Sequence, residues 1–220
     1  MWGKVFLSFI QAPKAIGEKM SNRIYYFMDS ADHHPYPKMN GNYMNYTDTN
    51  HNICKSCPTC GEDLYTLCDP AQLILFGEPM DYYCFTEECY ISERFLQFLR
   101  AHHFTGYQTT PAIVTSADGK TLFHYERLMI TGQCGLLCDS DEKIIPHCPV
   151  CKVRSYESFK TWHGVSFRAE AHDGSDFVQF VNFNDWNMPI VHKSLMKQIL
   201  SEGFTNFYFE PLADFVLEDM

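Results

Sequence analysis

No stretch of this chain approaches the ~20 consecutive apolar residues that a bilayer-spanning helix needs, so no membrane association is expected. Basic residues are scarce: 17 Lys and Arg stand against 27 Asp and Glu, a net charge of -10 at pH 7. Phosphate-backbone binding draws on a surplus of Lys and Arg, so nucleic acid is not an expected partner. The short catalytic motifs are missing as well. There is no phosphate-cradling glycine-rich loop, no GxSxG and no HExxH, which argues against an enzyme. A secretory signal would need a longer apolar run than Val5 to Ile10 and a small-residue cleavage site, and Gln11-Ala12-Pro13-Lys14 supplies neither. Residues 1–22 therefore read as an extension ahead of the folded body, and the expected compartment is the reducing cytoplasm. No low-complexity linker divides the remainder, so residues 23–220 read as one domain.

What is present is ample core material. Of the 220 residues, 45% are hydrophobic and 15% aromatic, and a chain of this length removes roughly 70% of its extended surface from water on folding. The pattern predicts an α+β fold with mostly antiparallel sheets and a few amphipathic helices. Arg23 to Met28 reads as a first strand, followed by a long irregular loop over 29–56. Asp118-Gly119 and Asp173-Gly174 each lie between strand-like runs, at 112–115 with 121–125 and at 165–168 with 177–180, and each predicts a hairpin.

Ten cysteines fall at 54, 57, 60, 68, 84, 89, 134, 138, 148 and 151. Two pairs have the spacing of a metal knuckle, Cys57-Pro-Thr-Cys60 and Cys148-Pro-Val-Cys151. In a knuckle the two intervening residues turn the chain so that both thiolates face one point, and Zn²⁺ takes four such donors in a tetrahedron. Cys57, Cys60, Cys148 and Cys151 are thus the candidate ligands of one structural zinc. Cys54 with Cys57 is a competing register, and Cys134 with Cys138 a possible further half-site. His51 and His147 are nearby imidazoles. Cys68, Cys84 and Cys89 read as free thiols buried as small hydrophobes. Cys134 paired with a distant histidine as nucleophile and base is far less expected than an ordinary buried thiol. His33-His34 and His102-His103 read as surface pairs, and Trp162-His163-Gly164 as a turn.

The chain also resembles itself. Residues 91–107, ISERFLQFLRAHHFTGY, align with residues 191–207, VHKSLMKQILSEGFTNF, matching Phe95 with Leu195, Leu99 with Ile199, Phe104 with Phe204 and Thr105 with Thr205. Each segment predicts an amphipathic helix ending before a strand. Each follows a strand-like stretch that opens with Asp, at Asp81 and Asp176, and each of those follows a CPxC pair. An approximate repeat over 54–130 and 145–212 is expected, with each half giving one knuckle to a zinc-ribbon-like site between them.

The arrangement resembles the double-CxxCG-motif proteins of bacteria, whose members include immunity proteins of polymorphic and contact-delivered toxin systems. The match runs through Cys57-Pro-Thr-Cys60-Gly61 with Asp63-Leu64, Ile91-Ser92, Phe104-Thr105-Gly106, Cys148-Pro-Val-Cys151, Asp176-Phe177, Ile190-Val191 and Gly203-Phe204-Thr205-Asn206-Phe207. It covers roughly residues 23 to 212. Lys152 departs from it, since the family pattern has Gly there. The resemblance implies a protein that binds a cognate toxin and neutralises it by occlusion, with structural zinc and no chemistry of its own. An acidic body suits a basic toxin domain. The alternatives are a zinc-ribbon adaptor that binds a cellular protein, and a metalloenzyme with an open zinc position.

Overall fold

Two four-stranded units with the same strand order form the body of the protein. The structure is a computed structural model and describes residues 24–31, 46–48, 51–59, 63–67, 70–75, 77–85, 88–135, 148–150, 162–180 and 188–217. The extension expected over residues 1–22 lies outside the described residues. The fold is α+β, and among the described residues every pairing of named strands is antiparallel except that of Ala71–Leu75 with Tyr107–Ser116.

In the first unit, β6 (Tyr82–Phe85), β7 (Glu88–Ser92), α1 (Glu93–Ala101), β8 (Tyr107–Ser116) and β9 (Leu122–Ile130) follow in sequence and pair in the order β6-β7-β9-β8. Beyond β8 the sheet continues through β5 (Ala71–Leu75), which is parallel to β8, and β2 (Tyr46–Asp48). In the second unit, β11 (Phe177–Val178), β12 (Ile190–His192), α2 (Lys193–Ser201) and β13 (Phe207–Pro211) repeat that order around β1 (Tyr25–Ser30), giving β11-β12-β1-β13. The registers coincide. Ser92 faces Tyr125 as His192 faces Tyr25, and Pro111 faces Glu126 as Pro211 faces Tyr26. β1 is therefore the second unit's counterpart of β9, donated from the other end of the chain and lying outside the 145–212 span of the expected repeat. The Leu212 N–H donates to the Tyr25 carbonyl at 3.0 Å, so the second unit brings its ends together where the first runs on through a hairpin.

The helices form for parallel reasons. Ser92 caps α1, its hydroxyl accepting from the Phe95 N–H at 3.2 Å, and the His192 Nδ1 caps α2 by accepting from the Ser194 N–H at 3.2 Å. Such caps satisfy N–H groups that the first turn leaves orphaned. Both helices end on a left-handed residue, His103 (φ 56°) and Gly203 (φ 66°), and a second positive φ follows at Gly106 (85°) and Asn206 (66°). Glycine enters this region without strain and asparagine tolerates it. A Cβ on Gly106 would lie 2.1 Å from the Phe177 carbonyl oxygen. At the equivalent place the Asn206 side chain donates to the Tyr82 carbonyl at 2.7 Å.

The buried helix faces, Phe95, Leu96, Phe98 and Leu99 with Leu195 and Ile199, share one core with Met28, Tyr82, Ile91, Leu128, Phe177 and Val191 of the two sheets. Fully burying a side chain of this kind stabilises the fold by roughly 2 kcal/mol. Each unit holds the other by the same latch. Asp81 Oδ2 accepts from the Thr205 N–H (2.9 Å) and hydroxyl (3.1 Å), and the Asp81 N–H donates back to that hydroxyl (2.9 Å). Asp176 Oδ2 accepts from the Thr105 N–H (2.8 Å) and hydroxyl (2.9 Å), and its N–H donates back at 3.2 Å. Ring pairs follow suit, Tyr82 with Phe207 (4.7 Å) and Phe177 with Tyr107 (5.7 Å).

The outer faces of the sheets differ. The second carries an apolar cluster of Tyr25, Phe27, Val165, Phe167, Phe180 and Phe215. The first carries Tyr83, Tyr90 and Tyr125, with a buried ion pair of Glu88 and Arg127 at 3.3 Å. The Tyr90 hydroxyl donates to Glu88.

Several local expectations change. The Asp118-Gly119 hairpin forms, with Asp118 Oδ1 accepting from the Ser116 hydroxyl (2.6 Å) and Lys120 N–H (3.1 Å). The hairpin expected around Asp173-Gly174 does not: β11 pairs with β12, while the Val165 N–H donates to Leu212 at 2.7 Å. Asp173 instead ties a loop, accepting from the Ser175 (2.9 Å) and Gln133 (2.8 Å) N–H groups. The loop expected over 29–56 contains the end of β1, all of β2, and β3 (His51–Ser56). Trp162-His163 is β10, paired with β14 (Val216–Leu217), and not a turn. Among the described residues, no helix is long and apolar enough to cross a membrane.

Candidate metal centre

β3 and β4 (Asp63–Leu67) form a two-stranded ribbon whose last pair joins Ser56 to Asp63. Cys57 leaves the end of β3 directly into a turn over Pro58-Thr59, and Cys148 enters a turn over Pro149-Val150. Proline immediately after each cysteine fixes φ near the value that the second position of a tight turn requires. Sequence of this kind presents a thiol at the base of a turn without needing a helix or a long strand to aim it.

The two turns meet. Cys57 Sγ and Cys148 Sγ lie 3.7 Å apart although 91 residues separate them in the chain. Cys57 is buried and Cys148 half-buried. A disulfide would need about 2.05 Å, so these sulfurs are not bonded to each other. The separation suits two thiols in hydrogen-bond contact. It also equals, within 0.1 Å, the roughly 3.8 Å between two thiolates bound to one tetrahedral ion at ~2.3 Å. The two cysteines occupy corresponding places, each opening the stretch that leads into its unit's strand, helix and closing strand.

Of the four predicted ligands, the structure thus brings Cys57 and Cys148 together. Cys60 and Cys151 each sit three residues further on and lie outside the described residues, as do Cys68, Cys138 and His147. Among the described residues no group of three or more potential ligands surrounds one point. Cys54 falls at the irregularity in β3 between Ile53 and Lys55. Cys134 belongs to the outer core of the second sheet, where its N–H and its thiol both donate to the Gln179 carbonyl, at 3.1 and 3.3 Å. Burial, and secondarily Cys134, pushes the neighbouring Tyr25 phenol up from its ordinary pKa.

Cys84 and Cys89 are buried as expected but are not free thiols: they face each other across β6 and β7, Cα atoms 4.1 Å apart, and form a disulfide. The signal was symmetric spacing about Thr86-Glu87, a dipeptide without the Asn-Gly or Asp-Gly character that marks a hairpin. The Glu88–Arg127 pair carried no signal, because nothing local sets those two residues opposite each other in a buried face.

Comparison with known proteins finds no family model that matches the chain and no curated protein that matches its sequence.

Proposed function

We propose that this chain is a zinc-stapled, non-enzymatic immunity protein of the double-CxxCG kind, acting in the cytoplasm by covering a cognate bacterial toxin. The observation that carries the reading is the 3.7 Å approach of Cys57 to Cys148, two thiols presented by separate Cys-Pro-x-Cys turns. The other two thiolates of the proposed site are those of Cys60 and Cys151, which lie outside the described residues. Four sulfur donors make a closed site, and a closed zinc site contributes folding free energy and leaves no position for substrate. What such a protein offers a partner is a rigid acidic body. With 27 acidic against 17 basic residues, it attracts a basic toxin domain at long range and repels nucleic acid, so charge speeds encounter while shape fixes the partner.

The test pairs metal with binding. The full-length protein, expressed with the product of the adjacent reading frame, is expected to co-purify with it and to protect cells from it. Cys148→Ser is expected to lose metal, stability and protection together. Protection by a protein free of zinc would falsify the zinc staple, and stable capture of a housekeeping protein in place of a toxin would favour an adaptor.

A further inference from the structure

The two units are equivalent strand by strand, and that equivalence exposes what only one of them has. Tyr82 faces Ile91 in the first unit as Phe177 faces Val191 in the second, so Cys84 and Cys89 correspond to Gln179 and Pro189. The first unit alone carries a cross-strand sulfur pair. It bridges β6, the outermost strand of the six-stranded sheet, to β7. β6 is short and is also the strand that holds the other unit. Asp81, immediately before it, takes the Thr205 N–H and hydroxyl, and the Tyr82 carbonyl takes the Asn206 side chain at 2.7 Å. Ser30 Oγ, from β1 of the second unit, donates to the Cys84 carbonyl (2.8 Å) and accepts from its N–H (3.0 Å).

We propose that Cys84 and Cys89 form a reversible dithiol–disulfide couple that sets the rigidity of the Asp81–Thr205 latch between the units. In a reducing compartment a disulfide persists only while it is renewed or shielded. Both sulfurs are buried, so exchange proceeds when β6 peels from the sheet edge. The oxidant is a small-molecule disulfide of the glutathione class. One protein thiolate attacks it, releasing one glutathione and leaving a mixed disulfide. The second protein thiolate then displaces the other glutathione. Two protein thiols become one disulfide, one glutathione disulfide becomes two glutathiones, and the two thiol protons end on those products. The reverse reaction removes the covalent link between β6 and β7 and leaves the edge strand held by non-covalent contacts alone, its ladder to β7 and the Ser30 and Asn206 side chains.

The second latch is a built-in control, since Asp176–Thr105 has the same geometry without a sulfur pair beside it. Full-length protein is equilibrated in glutathione buffers of rising oxidised fraction, then divided among thiol-trapping mass spectrometry, zinc assay and amide hydrogen exchange. The expected result is a reversible loss of two trappable thiols, mapped to Cys84 and Cys89, with zinc unchanged. On reduction the Thr205 amide should exchange at least ~10-fold faster while the Thr105 amide changes less than about twofold. Cys84→Ser with Cys89→Ser should exchange like reduced parent at every buffer ratio. If that variant does not fold, the parent series alone decides. Three outcomes overturn the proposal: a pair that stays linked or unlinked throughout, equal responses at Thr205 and Thr105, or oxidation that releases zinc in step.

Discussion

Replacing Asp81 with alanine removes the acceptor at the centre of one inter-unit latch. Its Oδ2 takes the Thr205 N–H (2.9 Å), the Thr205 hydroxyl (3.1 Å) and Arg94 (2.9 Å), and its Oδ1 takes the Ser92 hydroxyl (2.8 Å). A hydrogen bond to a charged group contributes about 1.5–3 kcal/mol where it is buried, and Asp81 is buried. The Arg94 side chain is 53% exposed, so its share is at most ~1 kcal/mol. Because these bonds share one acceptor they are not additive, and Asp81→Ala should cost about 3–4 kcal/mol. Asp176→Ala removes the same Thr105 bonds at a more exposed place and should cost about 1–2 kcal/mol. In a chain of this length those losses lower Tm by roughly 10 °C and 5 °C. The assay is urea unfolding of the parent, the single variants and Asp81→Ala combined with Thr205→Val or with Thr105→Val. Coupling of about 1–2 kcal/mol is expected for Asp81 with Thr205 and near zero for Asp81 with Thr105. An Asp81→Ala protein within ~0.5 kcal/mol of the parent, or equal coupling to both threonines, would refute the reciprocal latch.

The Glu88–Arg127 pair makes a second prediction. Arg127→Met leaves a buried carboxylate without its cationic partner, the Tyr90 hydroxyl still donating to it, and should cost about 3–5 kcal/mol, whereas Glu88→Leu with Arg127→Met should recover most of the loss; denaturant midpoints of the three proteins check this. A third concerns acid. Partial burial opposes ionisation of Asp173, but the Ser175 and Gln133 N–H groups outweigh it and hold the carboxyl below its ordinary pKa. A depressed folded pKa gives stability that is present above the unfolded value of about 3.9 and lost as pH falls through the folded value. The parent's advantage over Asp173→Asn should therefore be full near pH ~6 and shrink below about pH 4. A gap that stays constant in thermal melts over that range contradicts it.

Both helices and their Phe-Thr exits were legible because apolar spacing and a helix stop are local signals, and Asp118-Gly119 marked its hairpin for the same reason. Asp173-Gly174 shows where that logic fails. Val165 and Phe167 alternate like a strand, yet their partners come from the outer core around Leu212 and Phe215, far along the chain. β1 is the larger case. Its sequence marks a strand, but no local pattern says that it completes the second unit between β12 and β13. Asp81 and Asp176 stood out in the repeat, as did Thr105 and Thr205, but only the structure crosses them, each aspartate to the other unit's threonine. The turns after Cys57 and Cys148 were the most legible part of the candidate site, because Pro58 and Pro149 each favour a tight turn locally; that Cys57 meets Cys148 is long-range information.

Four sulfurs around one ion give a distinct signature in X-ray absorption at the zinc edge. On full-length protein purified without chelator, one zinc per chain is expected in a shell of four sulfurs at ~2.3 Å, and none in Cys148→Ser. A zinc-free protein, or a shell containing nitrogen or water with fewer than four sulfurs, would contradict it.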